Sequence, residues 1–308
     1  MINVPTVFVL GAGASVPYGY PTGAGLSSKV LEDIICRQGP AWWTQGEGLA
    51  KAAKRFALAL KRSKTTSVDA FLEHRSEFQK VGKLAMASAL LSCERDERVF
   101  PAQEIPGDWL AYLLTHMRGP FDAFGGNRVS FITFNYDRVL EHVLFDIVQN
   151  RYGKSDDECA DVLRKIPIVH VHGSLGPLPW QESDGQKYGV PPEPPDLILA
   201  ADRIKIVSEG AEEDPEFEEA RTLIREAKRI YFLGFGYNKD NVERLHLGEC
   251  RKGTCIFGSA LGLTPRERAD AEYLLKAQNG PGEDLFLRVE LRDHDCLQFL
   301  RNEPVRLD

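Results

Sequence analysis

Val7-Phe8-Val9-Leu10 is apolar at four consecutive positions, as a strand covered on both faces must be. Five further stretches read as strands: 129–134, 166–171, 230–233, 254–257 and 286–291, with a short one at Asp196–Ala200. Between them the apolar spacing turns helical. Helices are predicted at about 26–37, 138–151, 215–228 and 265–277. Alternating strands and helices predict an α/β fold, a Rossmann-like doubly wound, mainly parallel sheet.

From about 41 to 119 the chain is helical with few strand signals, which predicts a helical insertion or subdomain within a single domain spanning 1–308. Ala52, Phe56, Ala59 and Leu60 form an apolar stripe there. Ser67 is a candidate N-cap for one helix running to Cys93, and Trp109–Met117 reads as another. A loop rich in Pro and Gly spans 175–195, and Glu209–Asp214 is an acidic stretch.

Composition adds mostly exclusions. The chain of 308 residues has 43% hydrophobic and 27% charged content and a net charge of −7, so no nucleic-acid surface is expected. No apolar run approaches the roughly 18 residues a membrane span needs, and no basic leader precedes the first strand. A cytoplasmic protein is expected. Six scattered cysteines form no C-x-x-C pair, so buried reduced thiols are expected in preference to a metal site, even with His246 near Cys250.

The candidate chemistry sits where strands end. Gly11-Ala12-Gly13-Ala14-Ser15 turns the backbone after the first strand, although Val16 stands where a dinucleotide fingerprint would have its third Gly. Asn135-Tyr136-Asp137, His172-Gly173 and Gly234-Phe235-Gly236-Tyr237 follow three other strands. In open α/β sheets, ligands bind at those ends.

These motifs in this order, with Gly19-x-Pro21 after the first turn, resemble the sirtuin (SIR2) pattern. More closely, they resemble bacterial SIR2-like NADase domains of antiphage defence proteins, over about residues 5–260. The resemblance implies NAD as substrate and cleavage of its nicotinamide–ribose bond. It implies Asn135 and His172 as the catalytic pair, with Asp137 at the nicotinamide ribose or carboxamide. Gly11, Ala12, Gly13, Ala14, Ser15, Pro21, Thr22, Gly234 and Gly236 would line the rest of the NAD site. The four-cysteine zinc module of deacylating sirtuins is missing, and Thr22-Gly23-Ala24 replaces their acidic, aromatic and arginine positions. Both departures favour water as acceptor and no metal. The alternatives are an NAD-dependent deacylase, an oxidoreductase or a non-catalytic NAD or ADP-ribose module. The resemblance also implies a gated effector with a separate activating partner, such as an ATPase, helicase or Argonaute-type protein. A homo-oligomer built through Trp42, Trp43 and Trp109 is a further expectation.

Overall fold

In the computed structural model, residues 1–36, 47–206, 214–278 and 286–302 are described. The chain runs through β1 (Thr6–Leu10), a 3-10 turn (Ala12–Tyr18), α1 (Gly23–Ile35), α2 (Glu47–Ser63), α3 (Val68–His74), α4 (Gln79–Leu91), α5 (Asp96–Val99), α6 (Trp109–His116) and α7 (Phe121–Phe124). It continues with β2 (Val129–Thr133), α8 (Val139–Tyr152), α9 (Asp156–Leu163), β3 (Ile168–His170), α10 (Pro194–Arg203) and α11 (Pro215–Glu226). The last part comprises β4 (Arg229–Leu233), α12 (Lys239–Arg244), β5 (Thr254–Ser259), α13 (Pro265–Lys276), β6 (Phe286–Arg292) and α14 (Cys296–Asn302).

The six strands form one all-parallel sheet in the order β3-β2-β1-β4-β5-β6. Val9 stands in register with Ile132 on one side and Phe232 on the other. The strand order reverses between β1 and β4, which makes their carboxyl ends the topological switch point.

The continuous apolar run of β1 is explained by two cores. Val7 and Val9 join Ile132, Ile230 and Phe232 beneath the face that α11 covers. Phe8 and Leu10 join the larger core with α1 to α8. There the Phe8 ring stacks between Phe131 at 5.5 Å and Tyr231 at 5.3 Å.

Two sequence expectations are corrected. Asp196–Ala200 is the middle of helix α10, not a strand. Pro194 and Pro195 occupy its first turn, Asp196 caps the Glu193 N–H at 3.1 Å, and Leu197, Ala200 and Ala201 are buried at helical spacing. Nor is 68–93 one helix, although Ser67 does cap its start, accepting from the Ala70 N–H at 3.1 Å. The chain breaks at Arg75 into a 3-10 turn, Ser76–Phe78. A straight helix would place Phe71 and Phe78 about 10 Å apart. The break stacks their rings 5.9 Å apart against Phe56, with Arg75 over both.

The cysteines are free thiols, yet Cys36 is exposed and Cys255 half-buried, so burial does not extend to all six. His246 turns its Nδ1 to Glu249 at 3.2 Å. Trp109 is fully buried, which removes it as an interface anchor; Trp42, Trp43 and most of the 209–214 acidic stretch lie outside the described residues. No described helix is long and apolar enough to cross a membrane.

Candidate active site at the strand ends

The turn after β1 is held from two sides. On one side it meets the turn after β4: Gly11 N–H donates to Leu233 O at 3.0 Å and Gly13 N–H to Gly234 O at 2.9 Å. Gly234 adopts φ +58°, and a Cβ there would lie 2.0 Å from the Ala14 nitrogen. The two glycine turns therefore touch backbone to backbone, and the N–H groups of Gly11, Gly13 and Ala14 are engaged with carbonyls rather than turned to a phosphate. On the other side, Trp109 Nε1 donates to Ala14 O at 2.8 Å. The Tyr18 hydroxyl donates to Asp108 Oδ1 at 2.9 Å and accepts from the Leu110 N–H at 3.0 Å.

Asn135 follows β2 and reaches across this turn. Its Nδ2 donates to Gly11 O at 3.0 Å and to Ser15 Oγ at 3.1 Å, and its own N–H donates to Thr133 Oγ1 at 3.0 Å. Gly11 O can only accept, so the amide orientation is fixed by chemistry. The Ser15 hydroxyl also stands beside Asp137, which accepts from the Val139 N–H at 3.3 Å. Burial pushes the Asp137 carboxyl up to about 6, with Glu141 adding to the rise, while Ser15, the Val139 N–H and His170 oppose it. Gly11, Ser15, Asn135 and Asp137 thus form one connected group.

His172 belongs to a different layer. Its ring meets Phe134 edge-on at 5.3 Å and Phe217 at 5.7 Å, beside Asn241 and Arg244. Strand alternation would have put it on the same face as His170, but β3 ends at His170 and the chain turns through Gly173 at φ +73°. A Cβ on Gly173 would lie 2.0 Å from Arg203 O, so the end of α10 packs directly on this turn. Burial and then the Arg244 charge lower the His172 pKa to about 4, leaving a neutral imidazole at neutral pH. Among the described residues no hydrogen bond joins His172 to Asn135; they share an address because β2 and β3 are neighbours.

The remaining expected residues lie around this group. Thr22 caps α1 by accepting from the Gly25 N–H at 3.3 Å, with Pro21 packed on Gly25. Ala12 and Ala14 are part of the 3-10 turn, and the side of Gly236 where a Cβ would stand is open.

Two titratable side chains that sequence reading passed over stand inside the site. His170 Nδ1 bonds Asn135 O at 2.9 Å and its Nε2 bonds Glu141 Oε1 at 2.5 Å. They line a cavity of about 10 Å³ with Ser15, Asn135 and Asp137, room for one water. The only advance signal was the His-x-His spacing. Larger clefts, about 580 Å³ beside α8 and α9 and about 600 Å³ between α4 and α10, contain none of the expected site residues. At the edge of the first, Asp96, His142 and Asp146 bring ligand atoms within 4.8 Å of one another, but Asp96 is exposed and already bonds His142 Nε2 at 2.9 Å.

Residues 129–253 match the SIR2-like domain family. That stretch carries Asn135, Asp137, His170, His172, Gly234 and Gly236. Two solved chains align over 96% of this one at 16% identity. One, described as "The Structural basis of Sirtuin Substrate Affinity", is covered over 91% of its length with a TM-score of 0.35. The other, Sir2Tm bound to a propionylated peptide, is covered over 90% with a TM-score of 0.36. Similarity of this degree does not bear on activity. No curated protein matches the chain.

Proposed function

We propose that the protein is an NAD+ glycohydrolase that cleaves the nicotinamide–ribose bond, with water as acceptor. The observation that carries this reading is the fixed amide of Asn135. Both its N–H bonds are committed to Gly11 and Ser15, so its side-chain oxygen is the group left to orient a nucleophilic water. Nicotinamide leaves as a neutral base from a pyridinium, so the reaction needs no general acid. It needs stabilisation of an oxocarbenium-like centre, which an ionised Asp137 supplies above about pH 6. His172, neutral at physiological pH, accepts a proton from the water or a ribose hydroxyl. The match of residues 129–253 to the SIR2-like family supports NAD as the substrate.

A constitutive NADase would exhaust its own cell. The resemblance to antiphage SIR2-like domains therefore supports a gated cytoplasmic effector, a homo-oligomer acting with a separate activating protein. In this reading residues 41–119 are the regulatory insertion of a single domain. Light scattering tests the oligomer, and a monomer at tens of micromolar removes it.

The deciding experiment is nicotinamide release from NAD by purified protein, run beside deacetylation of an acetyl-lysine peptide. Nicotinamide released without peptide is expected. Release that depends strictly on the peptide replaces the hydrolase reading with a deacylase one.

A further inference from the structure

Asn135 lies just past the end of β2, so no strand ladder holds its peptide groups. Side chains do so instead. Thr133 Oγ1 accepts its N–H at 3.0 Å, and His170 Nδ1 binds its carbonyl oxygen at 2.9 Å. A carbonyl oxygen only accepts, so Nδ1 carries a hydrogen. Glu141 Oε1 stands 2.5 Å from Nε2, so the ring is held at both nitrogens. Burial alone would lower the His170 pKa, but Glu141, the Asn135 carbonyl and Asp137 outweigh it and hold it above the ordinary value.

This pair is deeply placed: the His170 and Glu141 side chains are 13% and 4% exposed. Glu141 Oε2 is buried with no protein partner, and Glu141 lines the one-water cavity with Ser15 and Asp137. A buried pair with an unsatisfied oxygen is poor as a source of stability. Its geometry instead ties β3 and α8 to the one peptide that aims the Asn135 amide.

We infer that the Glu141–His170 pair is a positioning device for Asn135, fixing its backbone carbonyl so that its amide stays on Gly11 and Ser15. This deepens the reading of Asn135 as the water-orienting residue and rests on it. His170 and Glu141 are positioning residues, acting on the reaction through Asn135.

The test uses the two amide mimics of imidazole. His170→Asn places an N–H where Nδ1 was, whereas His170→Gln places one where Nε2 was and leaves the Asn135 carbonyl without a donor. H170Q is expected to lose about 10²-fold in kcat with KM for NAD little changed, and H170N to stay within about threefold of the wild type. Equal kcat in the two variants overturns the inference.

A readout independent of turnover is the Asn135 side-chain amide pair in ¹⁵N NMR, assigned by its loss in Asn135→Asp. It should hold its shift in H170N and move in H170Q. An amide unmoved in H170Q overturns the positioning role whether or not the protein cleaves NAD. A moved amide in a protein that never releases nicotinamide sinks the hydrolase reading and leaves the positioning role standing. Glu141→Gln and Glu141→Ala give the same contrast should H170Q not fold. The amide introduced in E141Q can donate to Nε2 of a neutral ring and keep Nδ1–H on Asn135, whereas the methyl of E141A cannot. An E141A amide signal identical to the wild type overturns the inference.

Discussion

The guanidinium of Arg138 lies edge to edge with the carboxylate of Glu94 inside the protein, Nε to Oε1 at 2.8 Å and Nη2 to Oε2 at 2.6 Å. Both side chains are 1% exposed. Arg138 Nη1 also donates to Gln186 O at 2.8 Å and Pro177 O at 3.3 Å, and Glu94 Oε2 accepts the Gly189 N–H at 3.3 Å. One ion pair therefore joins three parts of the chain: the end of α4, the start of α8 directly after Asp137, and the long loop before α10. Removing one partner leaves the other as an uncompensated buried charge. Arg138→Met or Glu94→Leu should each lower unfolding stability by about 3–5 kcal/mol in urea titrations, and the double variant should recover much of it. Proteolysis within 177–189 should rise in the single variants.

The two glycines after β4 separate packing from ligand access. Gly234→Ala places a Cβ against Ala14 at a positive φ, so little folded protein is expected. Gly236→Ala meets open space and should melt within a few degrees of the wild type. If Gly236 lines the NAD site, G236A raises KM for NAD at unchanged stability. A G236A protein with unchanged KM removes it from the site.

Asn135→Ala and His172→Ala should each lower NAD hydrolysis by about 10²-fold or more. N135A also removes one of the two donors to Gly11 O and the Asn135 donor to Ser15 Oγ, so its loss of activity must be read on protein shown to be folded by calorimetry. Both variants turning over at the wild-type rate would mean the chemistry lies elsewhere.

His172 and Asp137 pull stability in opposite directions with pH. Between pH 6.5 and about 4 the unfolded chain protonates His172 and the folded protein does not, so this contribution is full above 6.5 and lost toward 4. Asp137 keeps its proton in the folded state up to about 6 against an ordinary 3.8, so its contribution is full below 3.8 and lost as pH rises to 6. Relative to wild type, His172→Gln should gain stability on acidification from 6.5 to 4, and Asp137→Asn should gain on the rise from 4 to 7. Each change should be about 3 kcal/mol. A difference that does not vary with pH for either variant contradicts its shifted pKa.

Periodicity carried the sheet, because strands buried on both faces cannot hide their apolar runs: all six strands lie where the apolar runs put them. It failed at Asp196–Ala200, where an apolar run of strand length is a helix started by two prolines. The break at Arg75 was invisible because helix propensity says nothing about aromatic rings that must meet. In the candidate site, strand-end position pointed to Asn135, Asp137 and His172, whereas Arg138 and Glu141 fall within the helix predicted at 138–151 and were given no role. Their burial depends on Glu94 and His170, which lie 44 and 29 residues away in sequence. No local pattern encodes such pairings.

The meeting of the two glycine turns also sets a timetable for synthesis. The turn after β1 gains Trp109 and Asn135 earlier, but the glycine turn it packs against does not exist until Gly234 is made, and Gly234 is in turn held by Ser259 through a 2.9 Å bond to its N–H. At translation rates of roughly 5–20 residues per second, the ribosome works for roughly 10–50 s between the two halves of that contact. A nascent or prematurely terminated chain can display the first turn, but it cannot close it. On the proposed activity, the NAD site cannot be completed before the turn after β4 has been made, by chain order alone.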